Sequence, residues 1–474
     1  MIKTKIIATL GPACADVDTI RAMLDNGVDV FRFNFSHGGF DEHQKMLDTL
    51  NSVIAGQERL VAALGDLCGP KIRTSAVEPE GRMLNVGDLV SIVRRGAAAD
   101  SFYFTTNYDR FVDDLQPGHS VFIDDGQIQL NVVKKEQNRL LCSVVSPGPL
   151  FSNKGINLPN TAVSIPSITD RDWQWVDWAI EHRLDFLALS FVRSDTEIKQ
   201  LKSHLQRAGS DIKVIAKIET AQAIVRLDDI VQACDAVLVA RGDLGVEIDL
   251  AQVPLVQKKI TALGRQFGKP VIVATQMLQS MITSPAPTRA EVSDVANAIM
   301  DFTDAVMLSG ETAVGKFPVQ SVKTINRIAD VTESFLDKSG LVRPMIKTEQ
   351  IYVVTAAVAR SVAQIVDDID AKLVAVWSHT GSSARLLSKA RIDTPVVVFS
   401  ASPSLCRQMS LDYGVIPFYR KVPENVESFV GFVEHFLINH NLAKADDKVI
   451  IVVGEPVVAE GTKNAVLVHT VQAR

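Results

Sequence analysis

The chain has 474 residues, room for about three domains of ordinary size, and its 47% hydrophobic and 22% charged content is that of a soluble protein. A formal net charge of -6 gives no basic field for nucleic acid or an anionic membrane surface, and no apolar run reaches the roughly 18 residues of a membrane span. Five widely spaced cysteines (Cys14, Cys68, Cys142, Cys234 and Cys406) with no Cys-x-x-Cys pair fit free thiols in a reducing cytoplasm, and the N-terminal apolar run is too short for a signal peptide.

Short β-branched or apolar runs then recur with helical patterns between them, at 6–10, 28–33, 60–64, 186–190, 214–218, 236–240, 271–274 and 305–308. Most lie about 20 to 35 residues apart, the span of one βα unit. Parallel strands buried on both faces read as continuous apolar runs, and eight of them predict an α/β TIM (β/α)8 barrel in preference to an open Rossmann-type sheet. The rhythm breaks between Lys71 and Ser164. That stretch holds closely spaced β patterns at 89–93, 120–123, 127–133 and 140–145, with turns at Asp125-Gly126 and Pro147-Gly148. It predicts a small β-barrel domain inserted after the third strand, hung on two connections and able to close over the barrel mouth as a lid.

Beyond about residue 340, helical stretches at 351–366 and 383–389 alternate with strand patterns at 373–376, 396–399, 415–418, 449–453 and 465–469. This predicts a separate C-terminal α/β domain. The expected division is 1–70 and 165–340 for the barrel, 71–164 for the lid and 341–474 for the C-terminal domain.

Polar groups collect where the barrel strands end. Alternation along an extended chain puts Arg32, Asn34 and Ser36 on one face, and Lys217 and Glu219 on another. Gly65-Asp66 and Gly69-Pro70-Lys71-Ile72-Arg73 follow the third run, Arg241-Gly242-Asp243-Leu244-Gly245 the sixth, and Thr275-Gln276 the seventh. A Lys-Ile-Glu triplet alone fits a solvated strand end as well as a metal site. The accumulation on one rim is what points to catalysis, since barrel active sites lie at the C-terminal strand ends. Glu219 and Asp243 repel unless a cation lies between them, and with oxygen ligands only the choice is Mg²⁺ or Mn²⁺. Lys217, Arg32 and Arg73 supply positive charge for phosphoryl oxygens, and the amides at Gly242-Asp243 can open a short helix toward a carboxylate. A phosphorylated carboxylic acid with Mg²⁺ suits these groups.

Two further patterns need weighing. Gly310-Glu311-Thr312-Ala313-Val314-Gly315-Lys316 nearly spells a P-loop, but Phe317 and Pro318 stand where a metal-binding hydroxyl and a helix are needed. Ser378-His379-Thr380-Gly381-Ser382-Ser383, between a strand and a helix, reads as a phosphate nest or as a plain serine N-cap.

With these residues in view, the sequence resembles the pyruvate kinase family along nearly its whole length. The segment 212–224, with Ala216-Lys217-Ile218-Glu219-Thr220, is similar to the family's active-site signature. Gly11-Pro12, 32–37, Asn157-Leu158-Pro159, 241–245, Ala274-Thr275-Gln276-Met277-Leu278, Pro287-Thr288-Arg289-Ala290-Glu291 and Leu308-Ser309-Gly310-Glu311-Thr312 match other family blocks in order. The resemblance implies phosphoryl transfer from phosphoenolpyruvate to ADP, giving pyruvate and ATP, with Mg²⁺ on Glu219 and Asp243. It implies that Lys217 stabilises the phosphoryl group in flight, that Thr275 with water serves protonation of the enolate, and that the amides of Gly242 and Asp243 hold the carboxylate. Arg32, Asn34, His37 and Arg73 fall on its nucleotide and phosphate side, and Lys154 is its lid lysine. A homotetramer is implied, with an effector site in the C-terminal domain where Thr380, Ser382 and Ser383 suit a sugar phosphate or a nucleotide.

One departure concerns monovalent cations. Many relatives carry an acidic residue where Lys71 stands and bind K⁺ between groups matching Asn34, Ser36 and Asp66. Leu67 and Lys71 resemble the K⁺-independent branch, in which a tethered ammonium replaces the ion. Cys68 stands where many relatives have Lys. The competing readings are another phosphoenolpyruvate- or pyruvate-handling metal-dependent barrel enzyme and an inactive barrel kept as a metabolite sensor. Arg73 and Lys154 weigh against the first, and intact Lys217, Glu219, Asp243 and Thr275 against the second.

Overall fold

The computed structural model describes all residues except 1, 79, 98–101, 160, 162, 340–352, 456–462 and 473–474. Eight parallel strands close a barrel: β1 Lys5–Thr9, β2 Val28–Asn34, β3 Ala62–Asp66, β4 Phe186–Leu189, β5 Lys213–Ile218, β6 Ala236–Ala240, β7 Val271–Ala274 and β8 Ala305–Leu308. Neighbours follow chain order round the ring, with β1 beside both β2 and β8. Inward side chains such as Ile7, Val30, Leu64, Ile215, Leu238, Ile272 and Met307 fill the interior, while the alternate residues pack against the surrounding helices. Both faces are therefore apolar, and that is why these strands read as unbroken apolar runs.

The third strand starts two residues later than its apolar run suggests and extends to Asp66. Gly65 makes the extension possible, because a Cβ there would stand 2.5 Å from the Phe35 ring. The charge of Asp66 is met from β2 and β5, as described below.

The insert contains a six-stranded sheet and a separate two-stranded ladder, Arg82–Leu84 with Gly148–Leu150. Leu84 and Leu150 join Val90, Ile92, Val121 and Leu130 in one apolar core, so the two sheets enclose it together without an unbroken hydrogen-bonded ring. The C-terminal sheet has the order Val415–Tyr419, Val396–Ser400, Leu373–Trp377, Lys448–Glu455, Lys463–Thr470. Only the last ladder is antiparallel, and apolar clusters cover both faces. Of the expected helix at 351–366, residues 353–366 lie in the helix Val353–Ile369, and 351–352 lie outside the described residues, as does the expected boundary at 340–341.

Buried ion pairs tie this domain to the floor of the barrel, opposite the strand ends that carry the site. Asp304, 1% exposed at the start of β8, accepts from Lys389 and from Arg391 at 3.1 Å. Asp185, at the start of β4, accepts from Arg407 at 2.8 Å. No helix among the described residues is long and apolar enough to cross a membrane, and the five cysteines are free.

Candidate active site

The strand ends bring the expected cations and carboxylates together at one mouth of the barrel. Lys217 and Glu219 leave β5 on the same side, as alternation requires. The Lys217 ammonium donates to Ser190 Oγ at 2.6 Å and lies 3.3 Å from Asp66 Oδ1 and 3.4 Å from Glu219 Oε2. Burial alone would depress its pKa, but the carboxylates of Asp66, Glu219 and Asp243 outweigh burial and hold the lysine charged, above its ordinary value. Arg32 meets Asp66 from β2: Nε donates to Oδ2 at 2.7 Å, and Nη1 to Thr9 Oγ1 at 2.9 Å. Burial would raise the Asp66 carboxyl, yet Lys217 and Arg32 keep it below the usual carboxylate range.

Glu219, 1% exposed, accepts from the Phe191 backbone N–H at 2.6 Å through Oε1. Burial, reinforced by Asp243 against the pull of Lys217, pushes its pKa up. Its Oε2 and Asp66 Oδ1 are buried without a hydrogen-bond partner. The Glu219 oxygen has the Lys217 ammonium 3.4 Å away but no hydrogen bond, and a buried carboxylate oxygen so placed in the field of Asp243 fits a hard divalent cation. Among the described residues no group of three His, Cys, Asp or Glu is placed to hold a metal. A cation on Glu219 and Asp243 would therefore need substrate or water oxygens to complete its shell, which is the habit of Mg²⁺.

Asp243 lies in the short helix Arg241–Glu247 directly after β6, and Thr275 directly after β7. Thr275 is left-handed (φ 67°), an unfavourable conformation for a β-branched residue. Its hydroxyl donates to Ala274 O at 2.7 Å and accepts the Gly242 amide at 2.8 Å, so that expected carboxylate donor is engaged with Thr275 here. Arg241 braces the turn, donating to Ala274 O, Thr275 O and Asp294.

The expected nucleotide side is divided between barrel and lid. Asn34 Oδ1 accepts the Ser36 amide at 3.3 Å, and the His37 carbonyl meets His43 Nε2 at 2.8 Å. Arg73 and Lys154 are neighbours on the lid: Arg73 donates to Asn153 O at 2.8 Å, and Lys154 donates to Asp124 at 3.0 Å. Lys71 lines the cleft between lid and barrel together with Gly155, Phe191 and Asp243. Among the described residues, no hydrogen bond or ion pair joins its ammonium to Asn34, Ser36 or Asp66, and Asp66 is engaged by Arg32 and Lys217.

In the C-terminal domain the helix Ser382–Lys389 begins on Gly381 (φ 80°) rather than on a serine cap. Ser378 Oγ accepts the Gly381 amide at 3.0 Å, and Thr380 Oγ1 donates to Ser382 Oγ at 3.1 Å. The P-loop-like stretch is structural: buried Glu311 takes the amides of Leu278 and Ser309, and Lys316 is exposed. Residues that sequence reasoning missed include Ser190, Phe191 and Arg193, and Arg241, though part of the matched block 241–245, had no role assigned to it. A serine closing the apolar run 186–190 is the visible sign of the first, and nothing marks Phe191 or Arg193.

Comparison with known proteins gives these positions a family. A model described as the pyruvate kinase barrel domain matches residues 1–322, and one described as the pyruvate kinase alpha/beta domain matches 356–469. The chain is 39% identical to a pyruvate kinase of Thermococcus litoralis, covering 96% of each protein, and 37% identical to one of Mycobacterium tuberculosis, covering 98% of each. A crystal structure of a pyruvate kinase from Cryptosporidium parvum superposes with a TM-score of 0.90 at 32% identity, over 99% of this chain and 96% of that one. On these matches, the chain belongs to the pyruvate kinase family.

Proposed function

We propose the following division of labour among the residues at the barrel mouth. The chain is a phosphotransferase of its family and moves the phosphoryl group of phosphoenolpyruvate to ADP, giving pyruvate and ATP. The observation that carries the assignment of roles is the Lys217 ammonium, held charged among Asp66, Glu219 and Ser190 beneath a lid that bears Arg73 and Lys154. Glu219 and Asp243 would hold Mg²⁺, or Mn²⁺, which supplies positive charge to the phosphoryl and enolate oxygens when bound. Arg32 and Lys217 bind the phosphoryl oxygens, and Lys217 stabilises the charge that spreads over them during transfer. The amides of Gly242 and Asp243 bind the substrate carboxylate, with Thr275 releasing Gly242 to do so. Thr275, with water, then serves protonation of the enolate. On the nucleotide side, Asn34, His37 and Arg73 orient ADP, and Lys154 leaves Asp124 for its phosphates as the lid closes and excludes water.

The reading extends to the whole chain. It takes 1–70 and 165–340 as barrel, 71–164 as lid and 341–474 as a regulatory domain whose Thr380, Ser382 and Ser383 receive a sugar phosphate or a nucleotide. It includes a cytoplasmic homotetramer and, through Lys71, turnover without K⁺. Formation of ATP and pyruvate from phosphoenolpyruvate, ADP and Mg²⁺ tests the reaction. Pyruvate released without ATP would favour a lyase, and tight phosphoenolpyruvate binding without turnover a sensor.

A further inference from the structure

The turn after β4, Ser190-Phe191-Val192-Arg193, takes no part in the roles above, yet each of its residues is tied to the site or to a root of the lid. At its first residue, Ser190 (2% exposed) accepts the Lys217 ammonium at 2.6 Å and donates to the Leu67 carbonyl at 2.7 Å. Leu67 lies on the segment by which the chain leaves β3 for the lid. At the second, Phe191 is left-handed (φ 53°) and aims its N–H at Glu219 Oε1. Its ring covers the outgoing lid connection so closely that a Cβ on Gly69 would stand 2.7 Å away. Its carbonyl accepts from Ser167 Oγ at 3.0 Å, on the connection by which the lid returns.

The remaining two residues complete the tie. The Val192 carbonyl accepts from Thr220 Oγ1 at 3.0 Å, immediately beyond Glu219. Arg193 spreads its guanidinium over the returning connection, donating to the carbonyls of Val163 and Ile165, each at 2.8 Å, and to Ser167 Oγ at 2.9 Å. The opposite edge of the fork meets Glu197 at 3.3 Å. One turn therefore holds the ammonium and one carboxylate of the reacting end while gripping both connections of the lid. Its left-handed Phe191 leaves little freedom to slip, since a non-glycine residue keeps that conformation only where its surroundings enforce it.

We propose that Ser190 and Arg193 are positioning residues that couple lid closure to the placement of Lys217 and Glu219. The proposal rests on the roles given to Lys217 and Glu219 above. A swing of the lid about 67–71 and 163–167 pulls on Arg193 and on the Phe191 ring, and the strain reaches Lys217 through Ser190 Oγ and Glu219 through the Phe191 amide. Nucleotide bound under the lid and charge at the reacting end are then set together.

The test uses the full-length protein and the variants Ser190→Ala, Ser190→Thr, Arg193→Lys and Ser190→Ala with Arg193→Lys, with Lys217→Met as control. Arg193→Lys keeps the charge but loses the fork that spans two carbonyls. Loss of a buried hydrogen bond to a charged group is expected to lower kcat about ten- to a hundred-fold in Ser190→Ala, with Ser190→Thr restoring most of it. Arg193→Lys should raise KM for ADP and lower kcat together, and the double variant should lose less than the product of the single losses, as groups acting through one turn do. Amide hydrogen exchange supplies a readout independent of turnover: Ser190→Ala should speed exchange at 163–168, although the Ser190 hydroxyl bonds Leu67 and Lys217 and none of those residues. Exchange there unchanged in Ser190→Ala, or strictly multiplicative kinetic losses, would overturn the coupling. Should Ser190→Ala fail to fold, Arg193→Lys decides the matter by whether exchange changes at Leu67 and Phe191. Failure of the underlying roles is seen separately, as Lys217→Met retaining full activity.

Discussion

Lys217→Met is the sharpest test of the assigned chemistry, because it keeps the length and apolar stem of the side chain and removes only the ammonium. In the structure that ammonium is 3.3 Å from Asp66 and 3.4 Å from Glu219, in a site where the lysine side chain is 13% exposed. Removing one preorganised charge from such a site costs ~10²–10³ in kcat, or about 3–4 kcal/mol of transition-state stabilisation. Binding should suffer less. Arg32 remains beside Asp66 at 2.7 Å and still supplies positive charge for phosphoryl oxygens, so KM for phosphoenolpyruvate is expected within about threefold of native. Stability should also fall by less than the ~3–5 kcal/mol typical of a broken buried pair. Asp66 keeps Arg32 and Glu219 keeps the Phe191 amide, so neither carboxylate is stripped of every partner. The assay is initial rate at saturating Mg²⁺ and ADP, with pyruvate followed by its reduction, beside a thermal melt of each protein. A variant that melts like the native chain and turns over within threefold of it would remove Lys217 from the chemistry.

Three other perturbations address different parts of the reading. Glu219→Gln keeps the shape but removes one of two metal carboxylates, so the Mn²⁺ dissociation constant, followed by electron paramagnetic resonance, should rise at least ~10-fold; unchanged affinity would move the cation elsewhere. Replacing K⁺ by tetramethylammonium should leave turnover intact while Lys71→Glu should create a K⁺ requirement, and lost turnover in the native chain would refute the substitution of Lys71 for the ion. Burial pushes the Asp185 carboxyl up to about 6 against the pull of Arg407. A carboxyl raised on folding stabilises below its unfolded pKa and loses that stabilisation as pH rises through its folded value. Between pH 5 and 7 the native chain should therefore lose roughly 1 kcal/mol relative to Asp185→Asn in urea titrations, and parallel curves would show that Asp185 does not titrate there.

Much of the fold was legible because burial on both faces writes itself into local sequence. The runs at 236–240 and 271–274 coincide with β6 and β7 to the residue. The third strand was misplaced by two residues because its last position, Asp66, is a charge that belongs in a strand only when Arg32 and Lys217 arrive from elsewhere in the chain. The same distance in sequence explains what happened at the site. Lys217 and Glu219 share a strand, so alternation was enough to pair them. The family resemblance puts Asp66 in a monovalent-cation region, whereas its engagement by Lys217 depends on β3 and β5 both flanking β4.

The turn after β4 shows a deeper limit. Thr275 and Phe191 are both left-handed, at φ 67° and 53°, although threonine is β-branched and phenylalanine bulky. Local propensity argues against both conformations, so no reading of short segments would assign them. Each is sustained by long-range bonds. Arg241 holds the Thr275 carbonyl, while Glu219 and Ser167 hold the amide and carbonyl of Phe191. Those bonds also place the Gly242 amide, the Glu219 carboxylate and, through Ser190, the Lys217 ammonium. The backbone turns left-handed where β4 and β7 end, beside the groups assigned to the reaction, and the energy for it comes from contacts that only the closed barrel assembles.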